Sequence, residues 1–571
     1  MKAYYFIVLL VMYLLPVTTF SQWPTSPNSL YIPEVGSFPD GATATIFLPK
    51  PDDNGGFYFS HTGSVYGLQH MGSNGELLWG ETGVNLPPND YGQTTIADLE
   101  PTEDGSLYVL YENLDVWWDE VYHYRPYLFL ALFNSGGGLV WEEAFQVAAD
   151  SAHGGLIEWL PADLIRDPTN QGIFVHWREA DSTSPLFKDK FQYIKNIDAS
   201  PVEQYTQYGV RLDDPESGIP QIQRSEVKGI FINDDLGFDV FVTAGDTILY
   251  FQKYNSDAIP LLSNPGVVVA PETFNFPYST VRPQRYTEDH YIVTKGGKLQ
   301  ITDNYGNAIL SPQQVAEIGT VARAIPAVNS ETSDFITWTA RQDSVTEEFV
   351  LYYQWFDSDL NKHYGPDGMM VDTLDGFNWG HPYYLQGPEL SVYVCRTFPN
   401  DGRLYTQRFN RQGQLWDDWE LVNENDWYSS SMGWTYAFVV SDGALIVPMY
   451  NGEEWGLVRM RPSGELGGPI TGVVQSYYQQ NKRALGTPYP NPFNARIKIP
   501  IYNVGTHEGV IGIYDLSGRM VRQLNIGHGT SVFWDGKDAV GRNVSSGVYF
   551  VCYTLNSNLV TPGTTKIVLT R

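Results

Sequence analysis

The residues that most often catalyse reactions are present in this sequence, but they lack the spacing that known catalytic motifs require. Its ten histidines are scattered. A His-Glu-x-x-His zinc motif, a Gly-x-Ser-x-Gly nucleophile elbow, a phosphate-binding glycine loop and a dinucleotide fingerprint are all missing from it. The acidic pairs Asp52-Asp53, Asp213-Asp214 and Asp234-Asp235 do not follow the ligand spacing of a calcium loop, and we interpret them as turn caps. The sequence thus predicts no catalytic residue, metal site or cofactor.

A ten-residue aromatic segment is the strongest candidate for a binding site. Asp115-Val-Trp-Trp-Asp-Glu-Val-Tyr-His-Tyr124 is predicted to be a loop inserted between two strands. Aromatic rings exposed on a loop stack on the faces of sugars, so we expect a glycan ligand here. The alternative is that the rings pack on the rim of the surrounding fold. The candidate ligand-binding residues are Trp117, Trp118, Tyr122 and Tyr124, joined by Trp427 and Trp434 of a later loop.

Charge and cysteine content exclude two kinds of site. The chain has 35 Lys plus Arg against 65 Asp plus Glu, a formal net charge of −30. Such a field repels phosphate backbones, so nucleic acid is not an expected partner. The two cysteines, Cys395 and Cys552, fall in separate predicted domains, which argues against a disulfide framework and against a cysteine zinc site.

A repeated pair of strands organises residues 40 to 475. The outgoing strand and its polar turn read Tyr66-Gly-Leu-Gln-His-Met-Gly-Ser-Asn-Gly-Glu-Leu-Leu-Trp79 in one unit and Leu128-Phe-Leu-Ala-Leu-Phe-Asn-Ser-Gly-Gly-Gly-Leu-Val-Trp141 in the next. The clearest later spacings are about 50 residues, the length of a propeller blade with its loops. Sheets of this kind bury their faces by stacking on one another, and a closed ring removes their exposed edges. We therefore predict an all-β fold with a seven- or eight-bladed β-propeller; a solenoid is the alternative.

Each unit also contains a preceding apolar strand. Examples are Gly56-Phe-Tyr-Phe59, Leu107-Tyr-Val-Leu-Tyr111 and Val392-Tyr-Val-Cys395. Acidic glycine turns such as Glu103-Asp-Gly105 lead into several of them, as in the hairpins of a meander. We expect these strands to be the inner, buried strands of the blades.

The first 21 residues are predicted to be a signal peptide. Lys2 precedes an apolar run from Ala3 to Val17, and Thr19 and Ser21 are the small residues that cleavage before Gln22 requires. The run is shorter than the roughly 20 residues that a membrane span needs. Signal peptidase and the general export machinery are therefore expected partners through residues 1–21, and the expected route passes through the periplasm.

Residues 485–571 carry an ordered series of short motifs. They include Tyr489-Pro-Asn-Pro-Phe-Asn494, Val510-Ile-Gly-Ile-Tyr-Asp-Leu-Ser-Gly-Arg519, Phe533-Trp-Asp-Gly536 and Ser546-Gly-Val-Tyr-Phe-Val551. The alternation of apolar residues predicts a small sandwich with the Trp534 and Tyr549 rings in its core. The motif positions are Pro490, Asn491, Pro492, Phe493, Asn494, Gly518, Trp534, Asp535, Gly536, Gly547 and Tyr549.

This series resembles the type A C-terminal sorting domain of type IX secretion substrates, which is related to the immunoglobulin-like domain of flagellar hook-capping proteins. Two departures from the family pattern are Asn494-Ala-Arg496, where a proline often follows the Asn, and the Thr565-Lys-Ile start of the last strand. The resemblance implies an immunoglobulin-like β-sandwich that the outer-membrane type IX translocon recognises. It also implies cleavage of the domain, followed by release or by attachment to the cell surface.

The predicted organisation is a signal peptide (1–21), a β-propeller (22–470), a linker (471–484) and a sorting domain (485–571). Three functions remain open for the secreted or surface-bound propeller. It could be a non-catalytic module that binds a glycan or a surface protein, which the missing catalytic motifs favour. It could be a glycan-active enzyme, a glycoside hydrolase or sialidase-like propeller, with two carboxylates ~5.5 Å or ~6.5 to 9.5 Å apart in a cleft. It could be a structural or adhesive surface component with a broad apolar patch.

Overall fold

The structure is a computed structural model of the 571-residue chain. It describes residues 23, 25, 45–62, 67–87, 93–118, 122–149, 162–180, 187–206, 209–212, 226–244, 248–263, 266–269, 282–295, 298–309, 316–317, 327–328, 334–342, 349–357, 359, 361–365, 368–374, 383–387, 391–397, 403–422, 437–450, 455–467, 491, 493–494, 496–500, 509–515, 519–525, 531–555 and 564–570. These residues contain no helix, and so none that is long and apolar enough to cross a membrane. The chain divides into two compact units, residues 1–472 and 473–571. The predicted signal peptide and linker lie outside the described residues.

The described strands of the first unit form eight antiparallel sheets, numbered in chain order. Sheet 1 contains β1 (Thr45–Pro51), β2 (Phe57–Thr62), β3 (Gly67–Met71) and β4 (Val84–Asn85), and sheet 2 contains β5 (Gln93–Pro101), β6 (Leu107–Trp118), β7 (Tyr122–Phe133) and β8 (Phe145–Ala149). Sheet 3 contains β9 (Ala162–Arg166), β10 (Gly172–Ala180), β11 (Phe187–Ile197), β12 (Ser200–Glu203) and β13 (Val210–Arg211). Sheet 4 contains β14 (Glu226–Ile232), β15 (Phe238–Ala244), β16 (Ile248–Tyr254) and β17 (Val267–Val268). Sheet 5 contains β18 (Arg282–Thr287), β19 (His290–Lys295), β20 (Lys298–Asp303) and β21 (Ala316–Glu317), and sheet 6 contains β22 (Ala327–Val328), β23 (Phe335–Gln342), β24 (Phe349–Phe356) and β25 (Met369–Leu374). Sheet 7 contains β26 (Tyr383–Gly387), β27 (Ser391–Thr397), β28 (Leu404–Asn410), β29 (Gly413–Gln414) and β30 (Glu420–Leu421). Sheet 8 contains β31 (Phe438–Val439), β32 (Leu445–Tyr450) and β33 (Trp455–Met460).

These sheets stand side by side in a ring. First strands touch from one sheet to the next where β1 meets β5, β5 meets β9, β14 meets β18 and β26 meets β31. Shared apolar cores join sheets 3 and 4, sheets 5 and 6, and sheets 6 and 7. The first strand of sheet 8, β31, also touches β1, which closes the ring. A ring of antiparallel meanders is a β-propeller, so the predicted fold is confirmed.

The strands that we expected to be inner and buried, such as β2 and β6, are the second strands of their sheets, and their apolar side chains are buried. The first strands lie between them and the axis, because these are the strands that meet from sheet to sheet. They are harder to see in the sequence because they carry more polar residues, as β5 does with the sequence QTTIADLEP.

Apolar side chains fill the junctions between neighbouring sheets. Because side chains alternate along a strand, Phe57 and Phe59 pack toward sheet 8, whereas Tyr58 packs toward sheet 2. The same alternation divides β10, where Phe174 packs toward sheet 4 and Val175 toward sheet 2. Both faces of the sheets are therefore buried, which explains why their central strands are continuous apolar runs.

A buried glutamine in the third strand holds the turn that follows it. In sheet 7, Gln407 Nε2 donates to the Asp418 carbonyl at 2.6 Å, and Gln407 Oε1 accepts from the Trp416 backbone N–H at 3.2 Å. Buried glutamines occupy the third strands of five other sheets: Gln69, Gln192, Gln252, Gln300 and Gln354. This glutamine is a signature of the repeat that our reading of the sequence missed.

One residue of each described acidic pair caps a turn, as predicted. Asp52 Oδ1 accepts from the backbone N–H groups of Asn54 at 2.7 Å and Gly56 at 2.8 Å. Asp235 Oδ1 accepts from the Gly237 N–H at 3.0 Å. The pair Asp213-Asp214 lies outside the described residues.

The second unit is a small β-sandwich, as predicted. One sheet pairs β34 (Ile497–Pro500) with β37 (Ser531–Trp534); the other has the order β36 (Met520–Asn525), β35 (Gly509–Asp515), β38 (Gly547–Leu555), β39 (Thr564–Leu569). Its core joins both sheets through Ile499, Ile511, Trp534 and Tyr549. The Trp534 and Tyr549 ring centroids are 5.1 Å apart, so the prediction that both rings fill the core is confirmed.

Candidate functional site

The aromatic segment predicted to be a loop is instead an extension of sheet 2. β6 and β7 pair without interruption up to Trp118 and Tyr122. β5 pairs with β6 only as far as Leu114, and β8 reaches β7 only at Tyr127. Residues 115–118 and 122–126 therefore form a two-stranded ribbon beyond the four-stranded part of the sheet, named here the aromatic ribbon. The loop expectation was wrong because these two strands continue to pair with each other beyond the described parts of both neighbours.

The register divides the candidate ligand-binding residues between the two faces of the aromatic ribbon. Trp118 stands opposite Tyr122, and Val116 stands opposite Tyr124. Since positions alternate along a strand, 118, 122 and 124 share one face, and Trp117 belongs to the other. The structure describes only the backbone at these positions, and Trp427 and Trp434 lie outside the described residues.

A second candidate site consists of charged side chains on the first strands of sheets 1 to 3. This axial charge cluster contains Lys50, Asp98, Glu100 and Arg166. Lys50 Nζ lies 2.9 Å from Asp98 Oδ1 and 3.9 Å from Glu100 Oε2. Arg166 Nε lies 3.9 Å from Glu100 Oε1. The sequence carried no signal for this cluster, because its members come from three strands that only the ring brings together.

The two carboxylates of the cluster differ in their surroundings. Asp98 accepts backbone N–H bonds from Leu99 and from Leu164, each at 2.9 Å, and so links sheet 2 to sheet 3. Glu100 has ion-pair partners only at longer range. Burial raises the pKa of Glu100 to about 7, and the attraction of Lys50 and Arg166 only partly offsets this. Glu100 can therefore change its charge near neutral pH, which is the property required of a general acid or base.

A buried histidine lies on the neighbouring part of sheet 3. His176 Nε2 is 3.1 Å from Asp189 Oδ1, and His176 Nδ1 is 3.5 Å from Asp163 Oδ2. Burial by itself would lower the pKa of His176, but the hydrogen bonds and charges of the two aspartates outweigh it and raise that pKa. Arg178 also pairs with Asp189, which is fully buried, while Asp163 is exposed. The arrangement favours the protonated form of the imidazole and ties three strands together, which suits a structural network.

Two other kinds of site find no support in the described part of the chain. No group of three His, Cys, Asp or Glu side chains there is placed to hold a metal ion. Cys395 is buried, and this burial raises the pKa of its thiol to about 12, so it is not an activated nucleophile.

Hydrogen bonds join the Tyr489–Asn494 motif, through Asn491 and Phe493, to the last strand, β39. Asn491 Nδ2 donates to the Lys566 carbonyl at 3.0 Å, and Asn491 Oδ1 accepts from the Val568 N–H at 2.8 Å. Phe493 is buried, and its backbone N–H donates to the Val568 carbonyl at 2.9 Å. The neighbouring Asn494 is exposed. The motif thus adds a short parallel strand segment to β39.

The other described motif positions include two aromatic residues whose polar atoms bond to backbone carbonyls. Trp534 Nε1 donates to the Lys537 carbonyl at 2.9 Å, across the turn in which Gly536 adopts a φ of 70°. Tyr549 donates its hydroxyl to the Ser545 carbonyl at 2.7 Å. Asp535 is exposed and Gly547 begins β38, whereas Pro490, Pro492 and Gly518 lie outside the described residues.

Solved structures similar to this chain add no argument about function. The β-propeller domain of a trilobed protease from Pyrococcus furiosus is 8% identical, covering 67% of this chain and 96% of that chain, with a TM-score of 0.34. A quinonprotein alcohol dehydrogenase-like protein from Bacteroides thetaiotaomicron is 11% identical, covering 78% and 95%, with a TM-score of 0.29. Prolyl oligopeptidase B from Galerina marginata is 10% identical, covering 74% and 56%, with a TM-score of 0.37. At these scores the propeller assignment rests on the ring of sheets itself.

The second unit can be assigned to a family. No curated protein matches the chain. Residues 487–569, however, match the family described as the secretion system C-terminal sorting domain. The resemblance predicted from the motifs is therefore confirmed: residues 487–569 are a secretion system C-terminal sorting domain, which implies export by the type IX system to the cell surface or the medium.

Proposed function

We propose that this chain is an exported, non-catalytic binding protein whose propeller presents the aromatic ribbon to a glycan. Residues 1–21 deliver it to the general export machinery, signal peptidase cleaves before Gln22, and the sorting domain takes it from the periplasm through the type IX translocon. The observation that carries the binding proposal is the length of the β6–β7 pairing. Within the described residues the ribbon continues beyond both neighbouring strands, so it lies outside the four-stranded part of the sheet.

The composition of the ribbon supports a glycan ligand. Positions 118, 122 and 124 are aromatic and share one face by register. Aromatic rings on a paired ribbon are held at fixed spacing, so a sugar can stack on them with little loss of conformational freedom. The net charge of −30 favours a neutral glycan over an anionic one.

A glycan array probed with residues 22–571 tests this proposal. We expect the double variant Trp118→Ala/Tyr122→Ala to bind its glycan roughly a hundredfold more weakly, since each stacked ring contributes about 1 kcal/mol or somewhat more. His123→Ala changes the opposite face of the same ribbon and is the matched control. Glycan binding that survives the double variant, or that His123→Ala weakens equally, would contradict the proposal.

A glycan-active enzyme is the second candidate, and one observation favours it. Glu100, at the inner edge of the ring, has a pKa near 7 and lies beside Lys50 and Arg166. A carboxyl group with such a pKa can act as the general acid of a glycosidase. This candidate predicts turnover of a bound glycan by residues 22–571 and its loss in Glu100→Gln. The primary proposal predicts binding without turnover in both proteins.

A further inference from the structure

Tryptophans that follow the third strand of a sheet tie that sheet to the next one. Trp79 of sheet 1 donates its Nε1 hydrogen to the Ser135 carbonyl of sheet 2 at 2.9 Å. Trp416 of sheet 7 donates in the same way to the Pro462 carbonyl of sheet 8 at 3.1 Å. Ser135 and Pro462 each stand two residues after the third strand of their sheet. This contact is therefore a repeated device of the ring.

The acceptor turns contain a glycine that makes room for the indole ring. A Cβ atom on Gly137 would lie 3.1 Å from the Trp79 ring, and one on Gly464 would lie 3.2 Å from the Trp416 ring. Both glycines also have positive φ, 82° and 93°. Gly75 occupies the corresponding turn of sheet 1 with a φ of 90°. The turn of sheet 1 is thus built like the turns that receive a tryptophan from the preceding sheet.

Tyrosines in the second strands form a second repeated tie. The Tyr58 hydroxyl of sheet 1 donates to the Gly105 carbonyl of sheet 2 at 2.7 Å. The Tyr393 hydroxyl of sheet 7 donates to the Gly443 carbonyl of sheet 8, also at 2.7 Å. Each tyrosine is buried. The contact recurs where one sheet packs on the next.

Sheet 8 has neither the tryptophan nor the tyrosine at the positions that would contact sheet 1. Ile446 stands in β32 where Tyr58 stands in β2, because Ala444 and Gly56 close equivalent turns. After its third strand the sequence reads Leu466-Gly467-Gly468, where sheet 1 reads Leu77-Leu78-Trp79. Leu466 and Leu77 make equivalent bridges, to Met460 and Met71, so the alignment is fixed. The junction between the last and first sheets therefore needs its tryptophan from elsewhere.

Trp23 occupies that place. Its Nε1 donates to the Ser73 carbonyl at 2.8 Å, and Ser73 stands two residues after the third strand of sheet 1. The ring is 4% exposed and packs in the core that Phe57 of sheet 1 shares with Leu457 of sheet 8. Thr25 reaches sheet 8, since a Cβ on Gly467 would lie 3.1 Å from Thr25 Cγ2. Residues 23 and 25 thus contact both sides of the junction.

We propose that Trp23 is the missing tryptophan of the last repeat and that its docking between sheets 8 and 1 closes the propeller. Trp23 is thus part of the ring although it lies far from sheet 8 in the sequence. Export processing must therefore spare it. Cleavage before Gln22 leaves Trp23 in place, whereas trimming a few residues further would open the ring.

Hydrogen exchange measured by mass spectrometry on residues 22–571 tests the closure. In Trp23→Ala we expect amide exchange to quicken about a hundredfold or more in β2 and β32 together, because a large buried side chain is lost from their shared core. Trp416→Ala is the matched control, and it should quicken exchange in β27 and β32 but leave β2 as it was. Trp23→Phe keeps the apolar ring but loses the N–H, so it should quicken exchange in β2 and β32 only about tenfold.

Two results would overturn the closure. One is exchange in β2 that is the same in Trp23→Ala and the parent. The other is a pattern in Trp23→Ala that matches the pattern in Trp416→Ala. If Trp23→Ala does not fold, Trp23→Phe decides, because unchanged exchange in β2 of that variant contradicts the role of the Ser73 bond. The N-terminal mass of the exported chain tests the processing separately, and a mature chain that lacks Trp23 would contradict that part.

Discussion

The titration of Glu100 should make the propeller less stable as the pH rises. Burial raises the pKa of this group from an ordinary value of 4.5 to about 7. The folded state therefore holds the proton more tightly than the unfolded state, and stability is lost as the pH increases from about 4.5 through 7. Glu100→Gln keeps the shape of the protonated side chain and cannot ionise. The difference between the two pKa values corresponds to a stabilisation of the variant of at most about 3 kcal/mol at pH 8.

Urea unfolding between pH 4 and pH 8, followed by tryptophan fluorescence, measures this effect. The parent and Glu100→Gln should have nearly the same unfolding free energy at pH 4, and the variant should gain steadily above pH 5. In Arg166→Gln the loss of stability with rising pH should continue to a higher pH than in the parent, because removing this cation raises the pKa of Glu100 further. An offset between Glu100→Gln and the parent that does not change with pH would refute the reasoning. So would a variant that becomes less stable than the parent as the pH rises.

Two further substitutions test how the repeats and the sorting domain are held. Gln407→Leu leaves the buried N–H of Trp416 without its partner and removes the bond to the Asp418 carbonyl, so urea unfolding should show a loss of about 2 kcal/mol in the propeller transition; an unchanged transition would contradict this. Asn491→Ala removes two hydrogen bonds to β39, so calorimetry should show the sorting domain about 1 to 2 kcal/mol less stable and the propeller unchanged. A loss confined to the propeller would contradict the second prediction.

Strands buried on both faces could be predicted from the sequence, and strands at the ring axis could not. β2 and β27 are continuous apolar runs because sheets cover them on both sides. β5 carries Asp98 and Glu100, whose partners Lys50 and Arg166 lie on other sheets. Charges in a strand are typical of an exposed surface, and only the assembled ring shows that Asp98 is buried, that Glu100 is half-buried and that both are paired.

Short sequence patterns predicted the core of the sorting domain correctly but predicted a loop where the aromatic ribbon lies. Trp534 and Tyr549 could be placed in a core because the alternation of their strands points to one face. The bond from Asn491 to β39 joins residues 77 positions apart, so no local pattern reveals it. The ribbon mixes acidic and aromatic residues, which is typical of loops, yet the pairing of Trp118 with Tyr122 continues the sheet. No local pattern indicated the role of Trp23 either, because sheet 8, the repeat that it completes, lies at the other end of the propeller sequence.

Localisation of the chain with and without its sorting domain tests whether this domain directs export. The full chain and a chain ending at residue 486 would be expressed in a bacterium that has a type IX secretion system, and each would be quantified inside the envelope, on the surface and in the medium. We expect the full chain to reach the surface or the medium and the shortened chain to stay folded in the periplasm. Equal export of both chains would contradict this expectation.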